Sequence, residues 1–404
     1  MSDSPSQCRG CSDIQRHAAD SKERERILLG LERPSESVHG GCAIRSGSRA
    51  KPETDVSTCF VSRDILREIS PGPMPLLPSL SYYRRIISAY LLGGQSQLTF
   101  WHEAPEENLN ASGNELGEYY MLFTEKAHYN GAYDSAGVPQ LDYRGKIGRQ
   151  YNPIAIAQYG LGNYNLLCRT GSAESRNKFF RVADWLVAHL EKNPQGLAVW
   201  NHHFDWEYRD TLRAPWYSAL AQGQAISLLV RAHQLELNKD SGNARYLDAA
   251  QQALASFFKP VAEGGVTFTD EKGDIWFEEY IVSPPTHILN GFIWAAWGVY
   301  DYFLATQDHS AQDLFARAVR TLTRNLDRYD LGFWSLYEQS GTRLPMVASP
   351  FYHQLHIVQL RVMHRLTGED KFARVADRWE SYSRSPSKRT RALCYKSAFK
   401  LCYY

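Results

Sequence analysis

The apolar residues after position 150 recur with helical periodicity, in two alternating kinds of segment. Four apolar segments contain a proline near their start, followed by small residues, and Pro153, Pro215, Pro285 and Pro350 lie 62 to 70 residues apart. The segments between them, such as residues 174–190, carry their charge on one side only. Because a helix packed on two sides must be apolar nearly all round, this alternation predicts four helical hairpins, each with an inner and an outer helix.

Shorter segments with a different pattern precede these helices. Aromatic stretches at residues 97–101 and 119–123 are separated by glycine and asparagine turns, which is typical of β-hairpins. The predicted fold class is mainly α, an incomplete (α/α)4 toroid barrel over residues 151–385, preceded by a small β-hairpin region over residues 79–150. In such a barrel the loops that lead into the inner helices meet at one end. We expect a cleft there, to which the β-hairpin region contributes.

The two ends of the chain lack a sustained apolar period. Residues 1–78 are rich in Ser, Arg, Asp, Glu and Gly, which predicts a disordered N-terminal arm, and residues 386–404 are interpreted as a C-terminal tail. No apolar run approaches the roughly 18 residues of a membrane span, and no secretion signal is apparent. The seven cysteines are an odd number without the spacing of a disulfide framework. These features predict a soluble, cytoplasmic protein.

The charge balance restricts the kinds of partner. Lys and Arg total 45 against 44 Asp and Glu, so no global field attracts nucleic acid or an anionic membrane. An anionic ligand must therefore be held by a local site. Aromatic residues make up 13% of the chain, and their flat rings provide surfaces on which sugars stack, although the same rings also suit a large core.

The segments that lead into the later inner helices concentrate the residues capable of chemistry. Acids, tyrosines and histidines recur in residues 201–213, 274–280 and 329–353. Taken alone, a tyrosine at a helix entrance is more often a packed ring than an acid or base. His353 and His356 lie three residues apart on one helix, a spacing that suits either a metal or buried hydrogen bonds, and without a third ligand we expect hydrogen bonds.

Several motifs resemble the D-glucuronyl C5-epimerase family, which acts in heparan sulfate and heparosan biosynthesis. The longest match is residues 216–227, and shorter ones are Gln158 with its neighbours, Glu278-Glu279-Tyr280, residues 289–292 and Tyr352-His353-x-x-His356. The resemblance covers residues from about 80 to 385. It implies a C-terminal catalytic domain that inverts C5 of D-glucuronic acid to L-iduronic acid within an acidic polysaccharide of the heparosan or heparan type.

The resemblance also implies roles for individual residues. The family's catalytic tyrosines and the adjoining glutamate correspond to Tyr280, Tyr337, Tyr352 and Glu279. The substrate-binding positions are assigned to Gln158, Glu207 and Asn290, and to His353 beside the last tyrosine. No cofactor and no metal are implied. The expected partner is the polysaccharide, and a homodimer is left open.

The chain departs from the family pattern at the position that holds the substrate carboxylate. The family has an arginine three residues after its second catalytic tyrosine, whereas Ser340 stands here. Arg343 is the nearest arginine in this loop, and we expect its side chain to lie in the cleft; Arg209 and Arg213 are the substitutes. Little of the family's β-domain with its calcium site is present, so we expect no calcium.

Inversion at C5 requires one group that removes the proton beside the carboxylate and another that returns a proton from the opposite face. The carboxylate must be neutralised, because the intermediate would otherwise be a dianionic enolate. Glu279 or Tyr280 on one side and Tyr352 on the other can serve, with Tyr337 and Arg343 at the carboxylate. Which group is the base stays open.

Three other functions fit the same residues. A uronic-acid polysaccharide lyase shares the first proton abstraction and then expels the C4 substituent. A glycoside hydrolase needs two carboxylates, for which Glu207 and Glu279 are available. A non-catalytic glycan-binding protein would bind uronic-acid chains tightly without exchanging the C5 proton, and fold does not choose among these functions.

Overall fold

The computed structural model describes residues 103–143, 145–237 and 244–403, together with residues 88, 90 and 91. The predicted N-terminal arm, residues 1–78, and the predicted aromatic stretch at 97–101 lie outside the described residues. The expectation of a mainly helical chain is confirmed.

Eight helices of the described chain pair into four successive hairpins, after a four-residue helix, Thr124–Ala127 (α1). Their bounds are Pro153–Thr170 (α2) and Ala173–Ala188 (α3), Ala219–Leu237 (α4) and Arg245–Leu254 (α5), Leu289–Thr306 (α6) and His309–Asn325 (α7), and Pro350–Thr367 (α8) and Asp370–Arg384 (α9). Helix α2 packs on α4, α4 on α6 and α6 on α8, and each also packs on the second helix of its own hairpin. The first helices therefore form an inner row covered by the second helices.

The inner helices begin in two different ways. Pro153 and Pro350 occupy the first turns of α2 and α8, behind the capping side chains of Asn152 and Ser349. Proline is tolerated there because its missing N–H would have no intrahelical partner. Pro215 and Pro285, in contrast, lie four residues before α4 and α6. Their segments are not helical, and they carry residues of the site described below.

The closest approach between inner helices is that of α4 and α6. A Cβ placed on Gly223 of α4 would lie 2.6 Å from the Cα of Ala295, and one placed on Gly298 of α6 would lie 2.2 Å from the carbonyl oxygen of Gly223. Backbone therefore touches backbone. The small residues noted in the sequence allow this contact, since side chains there would separate the helices.

Short β-hairpins lie in the connections that precede the inner helices. The strands Ala132–Tyr133 (β1), Pro139–Asp142 (β2) and Arg149–Gln150 (β3) form an antiparallel sheet in the order β1-β2-β3. Three two-stranded pairs follow in the later connections: Glu191–Lys192 (β4) with Ala198–Val199 (β5), Trp206–Glu207 (β6) with Thr211–Leu212 (β7), and Thr267–Thr269 (β8) with Ile275–Phe277 (β9).

The predicted aromatic strand at residues 119–123 is not a strand. Tyr119 and Tyr120 pack edge-on against Trp297 of α6, with ring centroids 6.1 and 5.3 Å away. The Tyr120 hydroxyl donates to Asp301 at 2.7 Å, and Asp301 pairs with the fully buried Arg231 of α4 at 2.7 Å. Core packing and this buried network override the alternating pattern.

The predicted C-terminal tail is helical instead. Pro386–Tyr403 (α10) packs on α9, Ala392 and Phe399 are buried, and Lys396 donates to the carbonyl of Val347 at 2.8 Å. The apolar positions 392, 395 and 399 have helical spacing, which the surrounding basic residues obscured. None of the helices in the described ranges combines the length and the uniform hydrophobicity of a membrane-spanning segment.

The contact between α4 and α6 predicts that Gly223→Ala is destabilising. The added methyl group must displace the backbone of α6, and we expect the free energy of unfolding to fall by about 1–3 kcal/mol. Urea denaturation measures the change. Gly117→Ala is the matched control, because a Cβ there meets nothing within 4 Å; equal stability of the two variants would contradict the prediction.

Candidate active site

The connections before the inner helices and the first turns of those helices enclose a cavity of about 200 Å³. Its walls come from α1, the loops around the short β-hairpins, and all four inner helices. The lining residues are Lys126, Tyr143, Asn152, Ile154, Gln158, His202, Phe204, Trp206, Trp216, Leu220, Glu279, Tyr280, Asn290, Trp294, Phe351 and Tyr352.

One side of the cavity is a cluster of aromatic rings. The ring of Tyr143 lies 4.8 Å from Phe204 and 5.6 Å from Trp206, measured between centroids. Trp216 stacks on the imidazole of His202 at 3.9 Å and 4°. Such flat apolar faces suit the faces of sugar rings.

His202 is held as a neutral ring in this cluster. Burial lowers the pKa of His202 to about 3, and its Nδ1 lies 3.3 Å from the carbonyl oxygen of Trp216. Because a carbonyl accepts only, Nδ1 carries the proton and Nε2 is left as an acceptor. That Nε2 has no hydrogen-bond partner among the described residues. It is therefore a buried acceptor beside the cavity without a partner in the described part of the chain.

Glu279 is the buried carboxyl group of the cavity. Burial raises the pKa of Glu279 to about 8, against weaker opposing hydrogen bonds from Tyr280 and Asn290. The amide nitrogen of Asn290 lies 3.4 Å from the Glu279 carboxylate. A Cβ on Gly291 would lie 2.2 Å from the same carboxylate, so only glycine leaves room for it. A carboxyl group with this pKa can both lose and accept a proton near neutral pH.

Three tyrosines surround this carboxyl group. Tyr337 and Tyr352 are in ring contact at 4.8 Å, and Tyr280, which packs on Tyr208 at 4.4 Å, belongs to the same cluster of side chains. Burial and the charge of Glu279 raise the pKa of Tyr280, Tyr337 and Tyr352 above the ordinary value. A hydrogen bond from Tyr337 opposes this rise at Tyr352. Tyr337 therefore favours the ionised form of its neighbour.

Backbone hydrogen bonds at the helix starts hold these residues in place. The first N–H of α4, at Ala219, donates to the carbonyl of Glu278 at 2.9 Å, and the first N–H of α6, at Leu289, donates to that of Tyr337 at 3.1 Å. Glu278 itself is bonded to His287, whose Nδ1 and backbone N–H lie 2.5 and 3.1 Å from its carboxylate. Neighbouring acids in the sequence thus have separate partners.

The buried carboxyl group of Glu338 is linked to Tyr280 through Tyr208. The Tyr208 hydroxyl donates to Glu338, and Tyr208 packs against the ring of Tyr280. Burial raises the pKa of Glu338 to about 7. This pair was not predicted, because nothing in the spacing of Tyr208 and Glu338 indicates that they meet.

Lys126 and Gln158 form the polar wall next to α1. The ammonium group of Lys126 donates to the side-chain oxygen of Gln158 at 2.5 Å, and Gln158 donates to Gln224 at 3.0 Å. Lys126 is only 2% exposed, and burial lowers its pKa to about 8 against the charge of Glu103. Gln158 was predicted from its motif, whereas Lys126 was not, because it lies outside any periodic segment.

The structure places three predicted substrate-binding residues outside the cavity lining. Glu207 is exposed on β6 and accepts from Thr211 at 3.0 Å. His353 is fully buried: its Nδ1 accepts from Ser335, its Nε2 donates to the carbonyl of Trp379 at 3.0 Å, and burial lowers its pKa to about 3. Arg343 is exposed.

The arginine expected in the cleft does not line it. Besides the exposed Arg343, Arg209 donates to the carbonyl groups of Ser340 and Pro284, and Arg213 is exposed and pairs with Asp205 at 2.5 Å. The loop between Tyr337 and α8 contributes no residue to the cavity lining, and the side chain of its arginine is exposed.

The described residues contain no group of three or more His, Cys, Asp or Glu side chains arranged around a common metal position. His353 and His356 instead share the hydroxyl group of Ser335, at 2.7 and 3.1 Å. A cavity that combines aromatic walls with a few buried carboxyl and phenol groups has the composition of a small-molecule binding site.

The comparisons with known proteins narrow this class. Residues 194–381 match the family described as the D-glucuronyl C5-epimerase C-terminus. The chain is 31% identical over 223 residues to a D-glucuronyl C5-epimerase of Caenorhabditis elegans, covering 51% of this chain and 35% of the worm protein. Residues 194–381 therefore carry the similarity to this family of C-terminal domains, and the recognition from motifs is confirmed.

Two further similarities are weaker. The chain is 28% identical over 200 residues to an uncharacterized protein of Methanocaldococcus jannaschii, covering 49% of this chain and 62% of that protein. It therefore spans less than two thirds of the length of either curated relative. A cellobiose 2-epimerase from Spirochaeta thermophila aligns with a TM-score of 0.43 and 11% identity, over 76% of this chain and 86% of that one. That score is too low to carry an argument.

The raised pKa of Glu279 predicts how stability depends on pH. The folded protein keeps the proton up to about pH 8, whereas the unfolded chain loses it near the ordinary value of 4.5. Stability therefore falls as pH rises between these values, by up to roughly 1.4 kcal/mol per pH unit. We expect Glu279→Gln to flatten this decline in a series of thermal melts, and to be the more stable protein at pH 9.

The exposed Glu207→Gln is the matched control for that series. Glu338→Gln should also flatten the decline, over a range ending near pH 7. An unchanged slope in Glu279→Gln would mean that the carboxyl group is ionised in the folded protein at neutral pH.

Proposed function

We propose that this protein is an epimerase that inverts C5 of D-glucuronic acid residues to L-iduronic acid within an acidic polysaccharide of the heparosan or heparan type. The observation that supports this most directly is the cavity in which Glu279, Tyr280 and Tyr352 meet among aromatic walls. The similarity of residues 194–381 to this family supports the same chemistry. The polysaccharide is the proposed partner.

The packing of the helices supports a proposal for the architecture as well. We infer that the inner row of α2, α4, α6 and α8 with its outer helices is an incomplete (α/α)4 toroid spanning residues 151–385. The small β elements within residues 79–150 would then close one side of its mouth, since Tyr143 directly follows β2 and lines the cavity.

The reaction begins with abstraction of the proton on C5, beside the carboxylate. The C5–H bond breaks, the proton passes to a base, and the electron pair is delocalised into the carboxylate as an enolate. Returning a proton from the opposite face completes the inversion. Proton transfer of this kind needs no redox group, so the acid and base groups of the chain suffice.

Two hydrogen-bonded pairs are arranged for these transfers. Tyr280 bonds to Glu279, and Tyr337 bonds to Tyr352. Glu279, Tyr280 and Tyr352 line the cavity, and Tyr337 adjusts the proton affinity of Tyr352. We assign one proton transfer to the Glu279–Tyr280 pair and the opposite one to Tyr352, with Tyr337 as a positioning residue.

The proposal is tested by incubating the protein with N-acetylheparosan or N-sulfoheparosan in D₂O. Deuterium at C5 and the appearance of iduronic acid, followed by NMR, are the expected results. Ultraviolet absorbance of an unsaturated product would identify a lyase instead, and accumulating reducing ends would identify a hydrolase. Tight binding without any of these changes would indicate a glycan-binding protein.

The assignment of Tyr352 predicts the effect of removing its hydroxyl group. Tyr352→Phe keeps the ring that packs on Tyr337, so we expect nearly unchanged stability. Deuterium incorporation at C5 should fall by roughly 10²-fold or more, the scale for a positioned acid or base. Tyr302→Phe, toward the other end of α6, is the matched control. Activity of Tyr352→Phe within a few-fold of the unmodified protein would contradict the assignment.

A further inference from the structure

The proposed reaction needs a cation at the substrate carboxylate, and the arginines predicted from the sequence do not supply it. Arg343 is exposed, Arg209 is bonded to two carbonyl groups, and Arg213 is exposed beside Asp205. None of the three lines the cavity. The position where the family has its arginine is Ser340, whose hydroxyl group interacts with Thr342. A different group must therefore meet the ligand's charge.

Lys126 is the cationic side chain that the described residues contribute to the cavity wall. Its side chain is almost completely buried, and its ammonium group donates to Gln158, which lines the same wall. Burying an ammonium group is unfavourable unless nearby groups compensate for it. A position of this kind, inside a cavity rather than at the surface, indicates a binding role.

The backbone around Lys126 is held in an unusual conformation. Phe123, which precedes α1, has φ 53° and ψ 41°, a left-handed conformation that residues with side chains rarely adopt. The carbonyl oxygen of Phe123 faces Gly162 of α2, where an added Cβ would lie only 2.7 Å away. Strained residues persist where the surrounding structure fixes them, and they cluster at functional sites. Here the residue in the left-handed conformation lies in close contact with α2, directly before α1 begins.

Glu103 is the second buried side chain that supports Lys126. Its carboxylate accepts the backbone N–H of Lys126 at 2.8 Å and is itself 6% exposed. Its charge favours the protonated amine, whereas burial opposes it. A ligand carboxylate in the cavity would add a second favourable charge. The amine is thus placed in advance, and the anion completes its environment.

We propose that the ammonium group of Lys126 binds the carboxylate of the uronic acid residue in the cavity, the role for which Arg343 was predicted. This inference rests on the proposed function. Lysine is a point charge and not a planar fork, so Gln158 beside it provides the directional contact to the carboxylate or ring hydroxyls. The same charge stabilises the enolate that forms when the C5 proton leaves.

The test compares two ligands on the full chain. One is a heparosan hexasaccharide, and the other is the same hexasaccharide with its carboxyl groups reduced to primary alcohols. Because Trp206 and Trp216 line the cavity, tryptophan fluorescence reports binding. We expect the unmodified protein to bind the acidic ligand more tightly than the neutral one.

Substitutions at Lys126 should remove this preference selectively. Lys126→Met should weaken binding of the acidic ligand by roughly 10- to 100-fold, the scale of a lost charge-assisted hydrogen bond, and leave the neutral ligand nearly unchanged. Lys126→Arg keeps the charge and should retain much of the preference. Lys259→Met is the control, since it removes an exposed lysine paired with Glu263.

Equal affinity of the unmodified protein for the two ligands would overturn the inference, even if Lys126→Met failed to fold. A folded Lys126→Met variant that keeps the preference would overturn it as well. Deuterium exchange at C5, measured on the same proteins, separates the two proposals. A preference that depends on Lys126 without exchange would refute the epimerase alone, whereas exchange at the unmodified rate in Lys126→Met would refute the role of Lys126 alone.

Discussion

The first N–H groups of a helix have no intrahelical carbonyl partners, and the candidate site depends on how α4 and α6 satisfy theirs. Ala219 at the start of α4 donates to the carbonyl of Glu278, and Leu289 at the start of α6 donates to that of Tyr337. Each helix thereby holds a segment that belongs to the following hairpin. Glu279 directly follows the first of these carbonyls, and Tyr337, the neighbour of Tyr352, carries the second. Their backbones are therefore fixed relative to the helices, in addition to the contacts of their side chains.

Burial raises the pKa of the acids Glu279, Tyr280 and Tyr352 in the cavity and lowers the pKa of the bases Lys126 and His202. It raises the pKa of Glu279 to about 8 and lowers that of Lys126 to about 8. Both groups can therefore change charge within the same narrow pH interval. An anionic ligand would favour the charged lysine and the protonated carboxyl group together, so ligand binding and proton placement are coupled in this cavity.

The periodic patterns in the sequence predicted the structural elements that depend on local packing. Alternating apolar and amphipathic segments predicted the four hairpins. The motifs singled out five residues that line one cavity: Gln158, Glu279, Tyr280, Asn290 and Tyr352. The roles given to these residues remain predictions. Contacts between distant segments left no comparable signal. The helix Pro386–Tyr403 was hidden by its charges, and the polar wall around Lys126 depends on a left-handed residue that no pattern indicates.

The cavity also shows that the region matched by the family is not a self-sufficient unit. The match begins at residue 194, yet Lys126, Tyr143, Asn152 and Gln158 all precede it and line the cavity. A fragment cut at the start of the match would keep Glu279 and its tyrosines but leave them facing water. Water would raise the local dielectric and relieve the desolvation that sets their proton affinities. The earlier segment is thus part of the cavity wall, although it carries none of the residues that the motifs mark as catalytic.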